Sequence, residues 1–235
     1  ALVVCALVSA QVALGQHHHN GQTESESLAS QGIFEDVQVK DRALTDWAGR
    51  WQSVYPYVLS GDLDPVFEVK AAQGDKSFDE YKHYYSIGYK GNVDSINIEG
   101  STIQFDIDGQ TSSCDYDYSG HKILTYESGK KGVRYLFECS DSNSTSPKFI
   151  QFSDHIIAPK ISDHFHIYMG DSSHEELLQE MENWPTYYPA SLSKDEIVDE
   201  MIGHDHVGAH EHGASKIDIV INEHSKSSRC NHSEK

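Results

Sequence analysis

The sequence predicts a mainly β chain: an antiparallel meander forming a barrel or a sandwich, with several α-helices added. Three observations carry this prediction. Short runs of alternating apolar and polar residues follow one another from Val93 to Met169, broken by Gly, Ser and Asp turns. Helix-period patterns lie on either side of those runs. The aromatic residues, which include 13 Tyr and 8 Phe, crowd between Ile33 and His204, making that stretch the one able to form a core.

In chain order, residues 1–15 form an apolar run shorter than the roughly 20 residues a spanning helix needs, with small residues at its end. This reads as a secretory signal, cut after Ala10 or Gly15. Residues 16–32 are polar, open on His17-His18-His19 and read as a flexible leader. Residues 33–204 are expected to form the folded domain. Within it, Ala43 to Gly61 mixes helix and strand cues around Trp47 and Trp51, and Phe78 to Gly88 places Phe78, Tyr81 and Tyr85 on one helical side. Strands are expected at Val93–Ile98, Thr102–Ile107, Ser113–Tyr118, Lys122–Tyr126, Val133–Cys139, Phe149–Ile157 and His164–Met169. Helices are expected at Ser172–Trp184, stopped by Pro185, and at Ser193–Gly203, where Ser193 and Glu196 form a capping-box start. Residues 205–235 read as a His-rich flexible tail with one edge-strand pattern at Ile217–Ile221.

The 18 basic against 37 acidic side chains give a net charge of −19, which repels a phosphate polymer, so nucleic-acid binding is not expected. No span of the mature chain is apolar enough for a membrane, and the chain is expected to be exported, periplasmic or secreted. Cys5 is removed with the signal. Cys114 and Cys139, on strand-like segments about 25 residues apart, are the expected disulfide, which stabilises by roughly 3 kcal/mol on the chain-entropy account. Cys230 is left over as a metal ligand, a partner for another chain, or a spare thiol.

Histidine, at 15 residues, is the unusual feature. A hairpin centred on Pro159-Lys160 sets His155 directly opposite His164, and strand alternation puts His166 on the same face. Three imidazoles then meet one ion. Zinc takes nitrogen ligands tetrahedrally at about 2.0–2.1 Å, so such a tripod leaves a fourth position for water or another side chain. Glu196, His174, His204 and the tail histidines are the candidates for that position. The terminal histidines, among them His204, His206, His210 and His212, are expected to stay solvated and gather metal loosely.

Five blocks of sequence, Asp46–Pro56, Leu63–Phe67, Lys122–Cys139, Phe152–Pro159 and Glu182–Pro189, closely resemble the ZinT/YodA metal-binding proteins over about residues 33–204. The resemblance implies a calycin, or lipocalin-like, β-barrel with added helices, which Gly49-x-Trp51 also fits. It implies export to the periplasm in bacteria, binding of zinc and, under stress, cadmium, and a partner in the solute-binding protein of a zinc ABC transporter. The family's zinc ligands match His155, His164 and His166, the same trio reached from the hairpin. Family members usually stop near the position of His204, whereas about 30 further residues follow here. Asn143-Ser-Thr and Asn231-His-Ser are glycosylation sequons for a eukaryotic source.

The reading that best joins these observations is a zinc-binding and delivery protein rather than an enzyme. A zinc hydrolase is the first alternative, because an open position on a three-histidine metal can activate water. Against it, the sequence has no HExxH helix or G-x-S-x-G elbow, and Asp154 and Phe165 are expected to point away from the histidine face. A lipocalin-type carrier of an apolar ligand is the second alternative.

Overall fold

The computed structural model describes residues 23–205. The signal-like run, His17 to His19, the 217–221 strand pattern and Cys230 lie outside the described residues. Strands β1 (Gly49–Ser53), β2 (Ser95–Glu99), β3 (Thr102–Ile107), β4 (Gln110–Thr125), β5 (Lys131–Cys139), β6 (Phe149–Ser153), β7 (Phe165–Gly170) and β8 (Thr186–Pro189) pair antiparallel in sequence order. Pairing of β8 with β1 closes the barrel. Of the two architectures open to a meander, the chain therefore takes the one without sheet edges.

The hairpin turns follow from local chemistry. β2 and β3 are joined by Gly100-Ser101, with Gly100 at φ 62°, and β3 and β4 by Asp108-Gly109, both at positive φ. Two-residue loops of this composition match the right-handed twist of the strands they connect. The two strands expected at 113–118 and 122–126 are instead one long β4, bent where its register shifts between Tyr118 and Gly120. Gly120, at φ 107°, absorbs that bulge where sequence reading saw a break.

Helices α2 (Tyr55–Ser60), α3 (Asp64–Gln73), α4 (Phe78–Gly88) and α6 (Lys194–Asp205) pack on one outer side of the barrel. α4 matches expectation and starts on a Ser77/Glu80 capping box. α3 was not foreseen, although Pro65 in its first turn is a helix-start signal. A further helix, α1 (Glu24–Ser30), lies in the stretch expected to be a leader. Thr23 and Glu26 cap it reciprocally, Ala29 is buried, and Glu26 bridges to Lys160, so local capping and one docked face order this polar segment.

The helix expected over 172–184 is also corrected. Only one turn forms, α5 (His174–Leu177), because the buried Arg134 guanidinium takes the carbonyls of Leu177 and Glu180, at 2.5 Å each, while stacking over Tyr168. The chain then runs into β8, a strand missed in sequence.

Two apolar clusters result. One fills the barrel with Trp47, Trp51, Phe105, Tyr135, Phe137, Phe152, Phe165, Ile167 and Tyr187, all but fully buried. The other lies between barrel and helices, around Val58, Phe67, Tyr85, Trp184, Tyr188 and Ile197. Trp47, at the end of a 3-10 turn (Leu44–Trp47), enters the barrel core and stacks on Phe152 at 4.9 Å.

The expected disulfide is present: Cys114 on β4 and Cys139 at the end of β5 are joined across a Cα–Cα distance of 5.8 Å. Replacing both by Ala should lower unfolding free energy by about 3 kcal/mol in urea titrations under oxidising conditions. A loss below about 1 kcal/mol would show that the cross-link adds little to what the β4–β5 ladder already holds.

Candidate metal centre

The β6–β7 register pairs Ser153 with His166, Phe152 with Ile167 and Phe149 with Gly170. Extended by two residues, the same register sets His155 opposite His164, as expected. The strands do not extend that far. β6 stops at Ser153, β7 starts at Phe165, and residues 154–164 form an irregular loop rather than a tight turn at Pro159-Lys160. The strand expected to continue to Ile157 ends early because His155 adopts a left-handed backbone, φ 63°, which a ladder cannot accommodate. Asp154 Oδ1 accepts the Ile156 N–H at 3.2 Å, a side-chain-supported turn that tolerates this geometry.

Arg42 organises the loop. Its side chain is fully buried, and Nη1 donates to Asp154 Oδ1 at 2.6 Å and to the Ile156 carbonyl at 3.3 Å. Nη2 donates to the Lys160 carbonyl at 2.7 Å, Nε donates to Asp46 at 2.9 Å, and the guanidinium lies 4.0 Å over the Trp47 ring. Asp46 in turn accepts the backbone N–H groups of Lys160 and Ser162, while Lys40 N–H reaches the Ile157 carbonyl. The loop's backbone groups are thus satisfied by the 40–46 segment instead of a neighbouring strand. Burial alone would lower the Arg42 pKa, but the charge and hydrogen bond of Asp154 push it up, so the guanidinium stays charged. Burial pushes the Asp154 carboxyl up, with Arg42 pulling against it.

Three imidazoles converge beside this scaffold. His155 and His164 are half-buried and His166 is buried, and one ring nitrogen from each lies within 4.8 Å of the others. The Nε2 atoms of His155 and His166 are 3.4 Å apart. Two nitrogens at about 2.05 Å on a tetrahedral ion are about 3.3 Å apart, so that pair already has ligand spacing and the third ring needs only a small swing. His166 Nδ1 lies 2.8 Å from Thr186 Oγ1, and the His164 ring stacks on Tyr188 with centroids 5.1 Å apart. Phe165 and Ile167 belong to the barrel cluster, so His166 and Tyr168 face the helical side.

Among the described residues, no carboxylate or thiol joins the trio. Glu196 is engaged by its own helix cap, accepting from Ser193 N–H and hydroxyl at 2.8 Å each. His174 packs on Phe149, whose β7 partner, Gly170, is at the far end of the strand from His166, and hydrogen-bonds Gln151 through its carbonyl. Neither of these candidates for a fourth ligand is part of the group, and the side chain of His204 and the tail histidines lie outside the description. Asp154 pairs through Oδ1 with Arg42 and is not one of the converging donors. Sequence reading missed Arg42, Thr186 and Tyr188. The Thr-Tyr-Tyr run between Pro185 and Pro189 carried a β-strand signal, whereas Arg42, 112 residues from Asp154, carried none.

A closed eight-stranded meander with three convergent imidazoles at one end of a hairpin defines a lipocalin-like protein bearing a histidine cluster of metal-ligand type. The family described as ZinT (YodA) periplasmic lipocalin-like zinc-recruitment matches residues 25–204, and the chain belongs to it. It is 49% identical over 184 residues to the zinc-binding lipoprotein AdcA of Streptococcus pneumoniae, covering 78% of this chain and 37% of that protein. It is 47% identical to the probable metal-binding protein YrpE of Bacillus subtilis, covering 74% of this chain and 69% of that one. Among solved structures, the Zn(II)-bound ZinT-like domain of S. pneumoniae AdcA matches with a TM-score of 0.72 and 50% identity, over 74% of this chain and 97% of that domain. The chain thus spans little more than a third of AdcA's length.

Arg42→Met should leave Asp154 buried without its cation and cost about 3–5 kcal/mol, measured by urea unfolding. Pairing it with Asp154→Leu should recover at least half of that loss, because the charge then left uncompensated is gone too. No recovery would mean that the carbonyl contacts of Arg42, rather than the ion pair, hold the loop.

Proposed function

We propose that this chain is an exported zinc-binding protein that captures the ion with His155, His164 and His166 and passes it to the solute-binding component of a zinc transporter. The observation that carries the reading is the convergence within 4.8 Å of three imidazole nitrogens, two from a loop held by buried contacts and one from β7. Zinc-binding relatives in the same family support it. Imidazole suits zinc and other borderline transition ions, and excess negative charge, −19 over the chain, concentrates cations near the surface. Three ligands with a fourth position for water hold zinc without enclosing it, which suits loading and release.

The role is binding rather than turnover. Asp154 is paired through Oδ1 with Arg42, and among the described residues no carboxylate joins the three nitrogens to serve as a base for metal-bound water. The barrel interior, which in a small carrier would hold an apolar cargo, is filled by aromatic rings such as Trp47, stacked on Phe152, and Phe165, edge-on to it. The disulfide fits an oxidising compartment outside the cytosol. No helix among the described residues is long and apolar enough to cross a membrane. His17 to His19 and the histidines after residue 205 would add weaker donors on the same chain.

Calorimetric zinc titration of the full chain beside His155→Ala/His164→Ala/His166→Ala should show one high-affinity site lost and weaker uptake by the tails retained. Full-strength uptake by the triple variant would overturn the assignment. Ligating imidazoles must be unprotonated, so protons compete more strongly as pH falls through the usual histidine range near 6.5. Zinc affinity should therefore drop at least tenfold between about pH 7.5 and pH 5. A flat profile would point to carboxylate ligands, which are already ionised over most of that range.

A further inference from the structure

We infer that Thr186 is a positioning residue for the metal centre: it holds His166 in the tautomer whose Nε2 lone pair faces the ion site. The inference rests on the three-histidine reading above and adds a residue outside the ligand trio. Thr186 sits on β8 directly opposite His166 in the β7–β8 register and is buried. Its hydroxyl donates to the Trp184 carbonyl at 2.9 Å. A hydroxyl has a single proton, so toward His166 Nδ1, 2.8 Å away, the same oxygen acts as acceptor. The ring proton of neutral His166 therefore resides on Nδ1. Nε2 is left as a lone pair, directed toward His155 Nε2 at 3.4 Å.

The energetic consequence falls on metal binding. In the opposite tautomer Nε2 carries hydrogen, and zinc can enter only after that proton moves to Nδ1. Fixing the tautomer beforehand removes this step and also fixes the ring plane, the general role of groups that hydrogen-bond the distal nitrogen of a metal-ligating histidine. Thr186 is itself well anchored, because its carbonyl accepts the Val54 N–H at 3.1 Å and its strand is tied to β1. These bonds fix the strand, and the bond to the Trp184 carbonyl is what turns the hydroxyl proton away from His166.

Two measurements on the full chain test this. Nitrogen-15 shifts of His166 in metal-free protein, at a pH where imidazoles are neutral, should report Nδ1–H in the wild type and in Thr186→Ser, and loss of that preference in Thr186→Val. Zinc affinity by chelator competition, with the triple-alanine uptake subtracted, should fall about 10–100-fold in Thr186→Val and return to within about threefold of wild type in Thr186→Ser. Nε2–H in metal-free wild type, or wild-type zinc affinity in Thr186→Val, would overturn the inference. The wild-type nitrogen shifts need neither zinc nor a variant, so that reading stands even if Thr186→Val fails to fold. Undiminished zinc uptake by the triple-alanine chain would instead sink the three-histidine reading and leave the tautomer result untouched.

Discussion

The buried ion pair between Arg42 and Asp154 is the constraint on which the geometry of the site depends. Two of the three imidazoles hang from residues 154–164, which have left the β-ladder and so lack the hydrogen-bond partners that hold a strand rigid. Segment 40–46 replaces those partners, in large part through the Arg42 guanidinium. The guanidinium binds the carboxylate at the start of the loop, the carbonyl just beyond His155 and the carbonyl of Lys160, while its face rests on Trp47. A buried pair of this kind need not add net stability, because desolvating both charges offsets their attraction. What it supplies is a single loop conformation, including the left-handed backbone at His155.

The barrel makes that arrangement possible. Trp47 carries the segment containing Arg42 onto the end of the aromatic core, where it stacks on Phe152 one residue before the end of β6. On β7 the alternation of side chains sends Phe165 and Ile167 inward and leaves His166 on the opposite face, next to β8. β8 then supplies two contacts two residues apart, Thr186 to His166 and Tyr188 to His164. His155 is held from the loop side and His166 from the strand side, so the trio is fixed by two independent parts of the fold. Metal chemistry gains from such support, since ring orientation determines whether a nitrogen lone pair reaches the ion.

Much of this was legible in the amino-acid pattern. Gly, Asp and Ser turns marked most strands, a one-sided aromatic pattern marked α4, capping residues marked α6, and the spacing of His155, His164 and His166 about an expected hairpin pointed to their convergence. The register behind that prediction holds for the paired residues, but the physical route differs, because a loop pinned by Arg42 delivers His155 and His164 where a continuous hairpin was expected. Long-range pairing explains most of what was not read. Arg42 meets Asp154 across 112 residues, and Arg134 ends α5 by taking carbonyls more than 40 residues away. No local periodicity encodes either contact. α1 and β8 are different cases: their cap and β-forming residues were visible, but polarity in one and a preceding helix pattern in the other masked them.

The central claim is that the loop and β7 together aim three nitrogen donors at one point. A crystal structure of the chain with one equivalent of zinc, with the ion located by anomalous scattering at the zinc edge, tests this most directly. A single strong peak is expected about 2.0–2.1 Å from one nitrogen each of His155, His164 and His166, with the Arg42–Asp154 contact intact. A principal peak elsewhere, or one bound by fewer than three of these rings, would contradict it.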